Sequence, residues 1–312
     1  MVGSSNTDLV VKCAVLPRPG ETVLGSDLLT FAGGKGANQA VAAARAGANV
    51  CFIGAFGDDA FGAARRADLE NEGVDCSGCV IKKGVPSGVA LIGIGRGENN
   101  ARAENLILVA GGANARLTPA DVRRGMPRDL GSRDGATDVV LCSLEVPIAA
   151  VLEAMTLAAA RNAVVILNPA PFPDAATLKK LLKHPHYLTP NETEFAGIVG
   201  SKVGSPAAAK RCAAIATARF LVTRGPRGVD AYIGGKYVSG YAAAPKVTAV
   251  DTVGAGDCFN GCLAAALSNG SADGDGLAAV HFAVTAAALK VTRQGAQAGM
   301  PRLREIEALL RD

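Results

Sequence analysis

The sequence lacks any apolar run near the roughly 20 residues that a membrane-crossing helix needs; stretches such as Val139–Leu144 and Ala163–Leu167 are far shorter. No basic-then-apolar segment opens the chain, so the expectation is a cytoplasmic protein without a membrane partner. Runs of like charge are missing too. The 32 basic and 28 acidic residues are scattered, and their net +4 suits a small anionic ligand better than nucleic acid. The eight cysteines form no regular framework. Cys51, Cys142 and Cys212 lie inside apolar stretches, where a thiol acts as a small core residue, and a reducing compartment follows. Cys76-Ser-Gly-Cys79 has redox spacing but neither a second pair nor a thioredoxin-like setting, and it reads as two loop thiols. His184-Pro-His186 lacks a nearby third ligand, which sets a metal reading aside. A Walker A spacing is also absent, excluding ordinary P-loop chemistry.

What is present is enough apolar residue, 49% of the chain, to bury a large core. Short β-branched runs alternate with Ala-rich helical stretches, the pattern of βα units feeding a mainly parallel sheet. The clearest unit runs from Asp138-Val-Val-Leu-Cys through a helix over Pro147–Arg161 to Ala163-Val-Val-Ile-Leu. Further strands are predicted at Tyr187-Leu-Thr and Arg219–Thr223, with a hairpin joining Val229–Ile233 to Tyr237–Ser239 across Gly234-Gly235. Helices are predicted over Cys258–Leu267, Leu277–Val291 and Leu303–Leu310, and Arg123–Ala136 reads as a polar surface loop. Two regions, about 9–30 and 88–108, break the βα rhythm and read as a small separate sheet with a polar tip at Gly93–Glu104. The chain opens Met-Val-Gly-Ser-Ser, leaving almost no strand before its first motif, so a truncated N-terminus is expected.

Three segments carry candidate chemistry. Val250-Asp-Thr-Val-Gly-Ala-Gly-Asp257 follows a strand-like stretch and opens an apolar helix. The backbone N–H groups of Gly254, Ala255 and Gly256 can converge on phosphate oxygens there, with Asp257 placed to accept a proton from an attacking hydroxyl. The residues alone equally allow a tight turn and an acidic first helical turn. Gly33-Gly-Lys-Gly-Ala-Asn-Gln-Ala40 runs into a helix and would let backbone and the Asn38 amide approach a polyol, although Gly-rich helix starts are common. Gly3-Ser-Ser-Asn6-Thr-Asp8 places an amide and a carboxylate on one face if extended, or simply forms a turn.

Together with Asn168-Pro-Ala-Pro, Thr189-Pro-Asn-Glu-Thr-Glu194 and Thr292-Arg-Gln-Gly-Ala-Gln297, these segments resemble, in order along the whole chain, the signatures of the ribokinase/phosphofructokinase-B family of sugar kinases. The Gly-Gly-Lys-Gly-Ala-Asn-Gln form is closer to its ribose-specific members than to adenosine or fructose kinases. The resemblance implies a single α/β domain, a three-layer sandwich with a mainly parallel sheet, carrying a β-sheet lid that pairs into a homodimer. It implies transfer of a phosphoryl group from ATP to the 5-hydroxyl of D-ribose. Asn6, Asp8, Gly34, Lys35, Asn38 and Glu145 would hold the sugar, and Asp257 would be the base beside Gly254, Ala255 and Gly256. Asn191, Thr223, Gly225, Gly228 and Gly256 would line the nucleotide. Asn191 and Glu194 would hold Mg²⁺ largely through water, where the residues alone read as a helix cap with an acidic first turn. An activating K⁺ would lie among Asp251, Val253, Lys290, Arg293, Gly295 and Gly299; read alone, Asp251 caps a turn and the Gly-rich loop ends a helix. Departures from the family pattern are a longer polar lid segment at Gly95–Ala103, Arg224 after Thr223, Val284 in place of a His, and Gly299 in place of a Ser. The rival readings are a kinase of deoxyribose, a nucleoside or a hexose, and a sugar- or nucleotide-binding regulator that has lost catalysis.

Overall fold

The computed structural model describes residues 1–96, 103–131, 137–215, 219–270 and 276–311. The first half of the chain forms β1 (Asn6–Val15), β2 (Leu29–Gly33), α1 (Lys35–Arg45), β3 (Ala55–Gly57), α2 (Ala60–Asn71), β4 (Val80–Lys82), β5 (Gly88–Arg96), β6 (Ala103–Ala110), α3 (Pro119–Gly125), β7 (Val139–Cys142) and α4 (Ile148–Ala159). The second half forms β8 (Val164–Leu167), α5 (Ala175–Leu181), β9 (Tyr187–Leu188), α6 (Glu192–Val199), α7 (Pro206–Ala214), β10 (Arg219–Thr223), β11 (Val229–Ile233), β12 (Lys236–Ala242), α8 (Ala255–Ser268), α9 (Leu277–Val291) and α10 (Leu303–Arg311).

The runs Val-Val-Leu-Cys, Val-Val-Ile-Leu and Phe-Leu-Val are apolar at successive positions, which suits strands covered on both faces. They lie accordingly in one sheet of order β12-β11-β10-β9-β8-β7, where β7 to β10 run parallel and β11 and β12 complete one edge as an antiparallel pair. Alternate side chains point to opposite faces. Leu141, Ile166 and Leu221 share one core with α1, α8 and α9, while Val140, Val165, Leu167, Phe220 and Val222 share the other with α4 to α7. The result is an α/β/α sandwich. Beyond β7, Val2 bridges in parallel to both Cys142 and Ile53, so the first motif does leave from a strand position. Beside it is a cavity of about 370 Å³, lined by Met1, Val50, Cys51, Val139, Val140 and Leu141 among others.

The irregular regions form a four-stranded sheet of order β2-β1-β5-β6, with β1 and β5 parallel and the outer pairs antiparallel. It begins earlier than the sequence suggests, at Asn6, and ends later, at Ala110, because the polar motif residues themselves are strand residues. The inner end of β1 is buried and its outer end exposed. Of the tip expected at Gly93–Glu104, Gly93–Arg96 close β5 and Ala103 and Glu104 open β6, and residues 97–102 lie outside the described residues.

Two other expectations change. Arg123 and Arg124 belong to α3, whose start is fixed by a Thr118/Asp121 capping box and Pro119, so the predicted loop begins after Gly125 and residues 132–136 lie outside the described set. The stretch before Val250 is not a strand: β12 ends at Ala242, Pro245 removes a ladder donor, and Val250 and Asp251 instead donate their N–H groups to the Val291 carbonyl.

Candidate active site

The catalytic candidate is positioned by a close contact between two helices. A Cβ on Gly261 of α8 would come within 2.3 Å of the Gln39 carbonyl oxygen of α1, so only glycine lets the two backbones approach this far. The contact brings two amides of α1 onto the first turn of α8. Asn38 Nδ2 donates to Asp257 Oδ2 at 2.9 Å, and Gln39 Nε2 donates to Asp257 Oδ1 at 3.0 Å. Gln39 Nε2 also reaches Asn168 Oδ1 at 3.1 Å. Asp257 is 7% exposed, and burial raises its pKa, opposed by the Lys35 charge and the two amide donors and reinforced by Glu145. A carboxylate so placed is an acceptor with spare lone pairs, held in one orientation.

The turn entering α8 is less open than its sequence implies. Gly254 caps the helix in the left-handed conformation at φ 79°, and the Ala255 N–H donates to Thr252 O at 3.2 Å. Of the three expected amides, Ala255 is therefore engaged in the turn. Among the described residues no side chain caps this helix end, and nothing lies within 4 Å of where a Gly256 Cβ would be, so the N-terminal dipole faces open space there.

On one side of Asp257 lies a cluster of acceptors. Glu145, in the turn between β7 and α4, accepts from Ser4 Oγ at 2.5 Å and from the Lys35 N–H at 2.9 Å. The Lys35 backbone sits there because Gly34 takes φ 89° at the start of α1, a conformation in which a Cβ would meet the Ser5 and Asn6 backbone. Asp8 of β1 has its pKa pushed up to about 6, first by burial and then by the charges of Glu145 and Asp257, against the lowering effect of Arg65. Asn6 is 3% exposed and accepts from Asn114 Nδ2 at 2.7 Å. Asn38 Oδ1 and Gln39 Oε1 are buried without a hydrogen-bond partner. Carboxylates close enough to act on one another's charge, beside orphaned amide oxygens, suit a ligand rich in O–H donors. Asn114 was missed by sequence reasoning. Its signal is the tripeptide Gly112-Ala-Asn114, which repeats the Gly36-Ala-Asn38 of the recognised motif.

At the start of α8, Gly256 and Phe259 border a cavity of about 460 Å³ whose lining is mainly apolar and also includes Thr223, Gly225, Gly228 and Val284. The expected nucleotide residues Thr223, Gly225, Gly228 and Gly256 thus meet in one cleft; Asn191 pairs with Thr223 at its edge through a backbone bridge. Arg224 does not enter it. Its guanidinium instead pairs with Asp230 and Glu192, tying the β10–β11 turn to α6.

Asn191 and Glu194 do form the helix cap that their sequence suggests: Glu194 N–H donates to Asn191 Oδ1 at 2.9 Å and Asn191 N–H to Glu194 Oε2 at 2.8 Å. Among the described residues the other carboxylate oxygen of Glu194 takes no hydrogen bond, and the charge of Lys35 acts on this group as it does on Asp257. Among the described residues no three His, Cys, Asp or Glu side chains come together as a metal site. One free carboxylate oxygen fits a divalent cation held through its waters. His186 Nδ1 accepts from the Val165 N–H at 3.0 Å, and the Cys79 thiol approaches Phe52 O at 3.1 Å.

The residues expected around a monovalent cation are brought together. Asp251 accepts from the Val253 and Gly295 N–H groups at 2.9 and 2.8 Å. Lys290, expected to offer a carbonyl, also sends its side chain inward: it is 0% exposed, and its Nζ donates to Asp251 O at 2.8 Å. Burial lowers its pKa while the Asp251 carboxylate raises it.

A family profile described as pfkB family carbohydrate kinase matches residues 1–303. The chain is 39% identical to a ribokinase of Bacillus subtilis (strain 168), covering 99% of this chain and 98% of that relative. The crystal structure of a ribokinase from Thermotoga maritima superposes with a TM-score of 0.83 at 32% identity, covering 100% of this chain and 98% of the other. The structure of Arabidopsis thaliana ribokinase complexed with ribose and ATP gives a TM-score of 0.82 at 28% identity, over 100% and 97% of the two chains.

Proposed function

The chain belongs to the pfkB family of carbohydrate kinases, and from that premise we propose that it transfers the γ-phosphoryl group of ATP to the 5-hydroxyl of D-ribose, giving D-ribose 5-phosphate and ADP. The observation that carries this reading is the position of Asp257 between the acceptor cluster and the uncapped end of α8, one residue from Gly256 in the apolar cleft.

Ribose docks against Asn6, Asp8, Gly34, Lys35, Asn38 and Glu145, donating its hydroxyls to the carboxylates and the free amide oxygens. Asp257 takes the proton of the attacking hydroxyl, its carboxylate already fixed by Asn38 and Gln39. The N–H groups at the end of α8 and the Lys35 ammonium stabilise the charge on the transferring phosphoryl group. The adenosine moiety occupies the cleft of Thr223, Gly225, Gly228 and Val284. Asn191 and Glu194 would hold Mg²⁺ through water, and the ion would supply neutralisation of charge on the nucleotide phosphates.

The four-stranded sheet acts as a lid over the sugar, within a single domain. Phe31, Leu91, Ile107 and Leu108 are about half exposed on it, which supports pairing with a second copy. No helix among the described residues is long and apolar enough to cross a membrane. With eight free thiols, a cytoplasmic setting is the reading we adopt.

A coupled assay of ADP release with ribose, deoxyribose, fructose and adenosine tests the substrate, and ribose should give the highest kcat/KM. Release that is independent of any added sugar would overturn the reading. A pH series tests Asp8. Its folded pKa of about 6 stands above the ordinary 3.8, so ionising it costs stability: the contribution of the neutral form is complete below about pH 4 and is lost as pH rises through 6. Sugar binding runs the opposite way, because only the carboxylate accepts two hydroxyls. KM for ribose should rise as pH falls through about 6, and Asp8→Asn should flatten that dependence.

A further inference from the structure

Lys290 lies one residue from the end of α9, where a lysine ordinarily reaches solvent. Here it is fully buried, and its Nζ donates to the Asp251 carbonyl oxygen at 2.8 Å. The surroundings of its last carbon are fixed by Gly299. A Cβ placed on Gly299 would lie 2.8 Å from Gly295 O, 3.2 Å from Lys290 Cε and 3.3 Å from Arg293 O. The end of the lysine and the carbonyls of Gly295 and Arg293 therefore converge on one small space, kept open by the missing side chain at 299. The Asp251 carboxylate faces the same loop, holding the Gly295 and Val253 N–H groups. Arg293, the other cation of this loop, turns away to pair with Glu305 at 2.7 Å.

These oxygens are the ones that the family resemblance assigns to an exchangeable monovalent cation. An ammonium carries the same charge as K⁺ and is close to it in size, and a second cation here would share a single carboxylate. We propose that Lys290 is a built-in monovalent cation: its ammonium holds Asp251 and the 293–295 loop in place of K⁺, so the protein works without an exchangeable ion. Through Asp251 and Val253 the side chain fixes the turn into Gly254 and the N-terminus of α8. Lys290 is thus a positioning residue rather than a catalytic one. The inference rests on the kinase reading for its kinetic arm only.

The test compares wild type, Lys290→Ala and Lys290→Met in tetramethylammonium chloride and in KCl at equal ionic strength, reading both kcat for ribose phosphorylation and the melting temperature without substrates. Wild type should show the same kcat and melting temperature in both salts. Lys290→Ala should lose about tenfold in kcat and melt lower without K⁺, and KCl should restore both. Lys290→Met, which refills the space without charge, should be impaired in both salts. Wild type activated and stabilised severalfold by K⁺ would overturn the proposal even if the variants failed to fold. So would Lys290→Ala impaired alike in both salts, since that marks simple packing. If the kinase reading alone were wrong, no phosphorylation would be seen, yet the melting shifts would still follow K⁺ as stated.

Discussion

Asp257→Asn should lower kcat by about 10²- to 10⁴-fold, the range for loss of a positioned general base, while the protein stays folded. The substitution keeps size and shape. An amide at this position offers Asn38 and Gln39 one donor too many, but Asn38 Oδ1 is unpartnered, so turning the Asn38 side-chain amide restores the hydrogen bond while Gln39 keeps its donation to Asn168. Burial also opposes ionisation of Asp257, so removing its charge takes away a cost of folding. The variant should therefore melt no lower than wild type at neutral pH. Steady-state kinetics at saturating ATP and ribose, with a thermal melt, check both halves. A variant keeping more than half of the kcat would place the base elsewhere.

Asp8→Ala should raise KM for ribose by about 10- to 10²-fold, the cost of a hydrogen bond to a charged group, and leave KM for ATP within about twofold. The asymmetry follows from position: Asp8 interacts with Glu145, Asp257 and Arg65, whereas the apolar cleft is lined by residues from 223 onward. Titration calorimetry with each ligand alone separates the two affinities. Equal losses for ribose and ATP would remove Asp8 from the sugar site and make it a general support of β1.

Much of the fold was legible because its signals are local. The runs at 139–142 and 164–167 are too short and apolar for anything but covered strands, and the helix between them has its apolar spacing and Pro147 start. Several of the motif residues also meet in space, Asn38 with Asp257 and Lys35 with Glu145. What escaped depends on contacts between distant segments. Nothing near Gln39 foretells that its amide meets a carboxylate 218 positions away, a meeting decided by Gly261. Asn114 serves the site from a turn with no periodicity of its own. Lys290 near a helix end reads as solvated, and its destination depends on a glycine nine residues later. The stretch 243–249 contains β-formers, yet finds no neighbouring strand to pair with.

Phosphoryl transfer from ATP to the 5-hydroxyl of ribose leaves two phosphorus-containing products in equal amounts. Phosphorus NMR of the reaction with one equivalent each of ATP and D-ribose tests it most directly. ADP and ribose 5-phosphate should rise together in a one-to-one ratio in wild type, with neither formed at a comparable rate by Asp257→Asn. ADP appearing with inorganic phosphate instead, or the phosphoryl group on another hydroxyl, would contradict it.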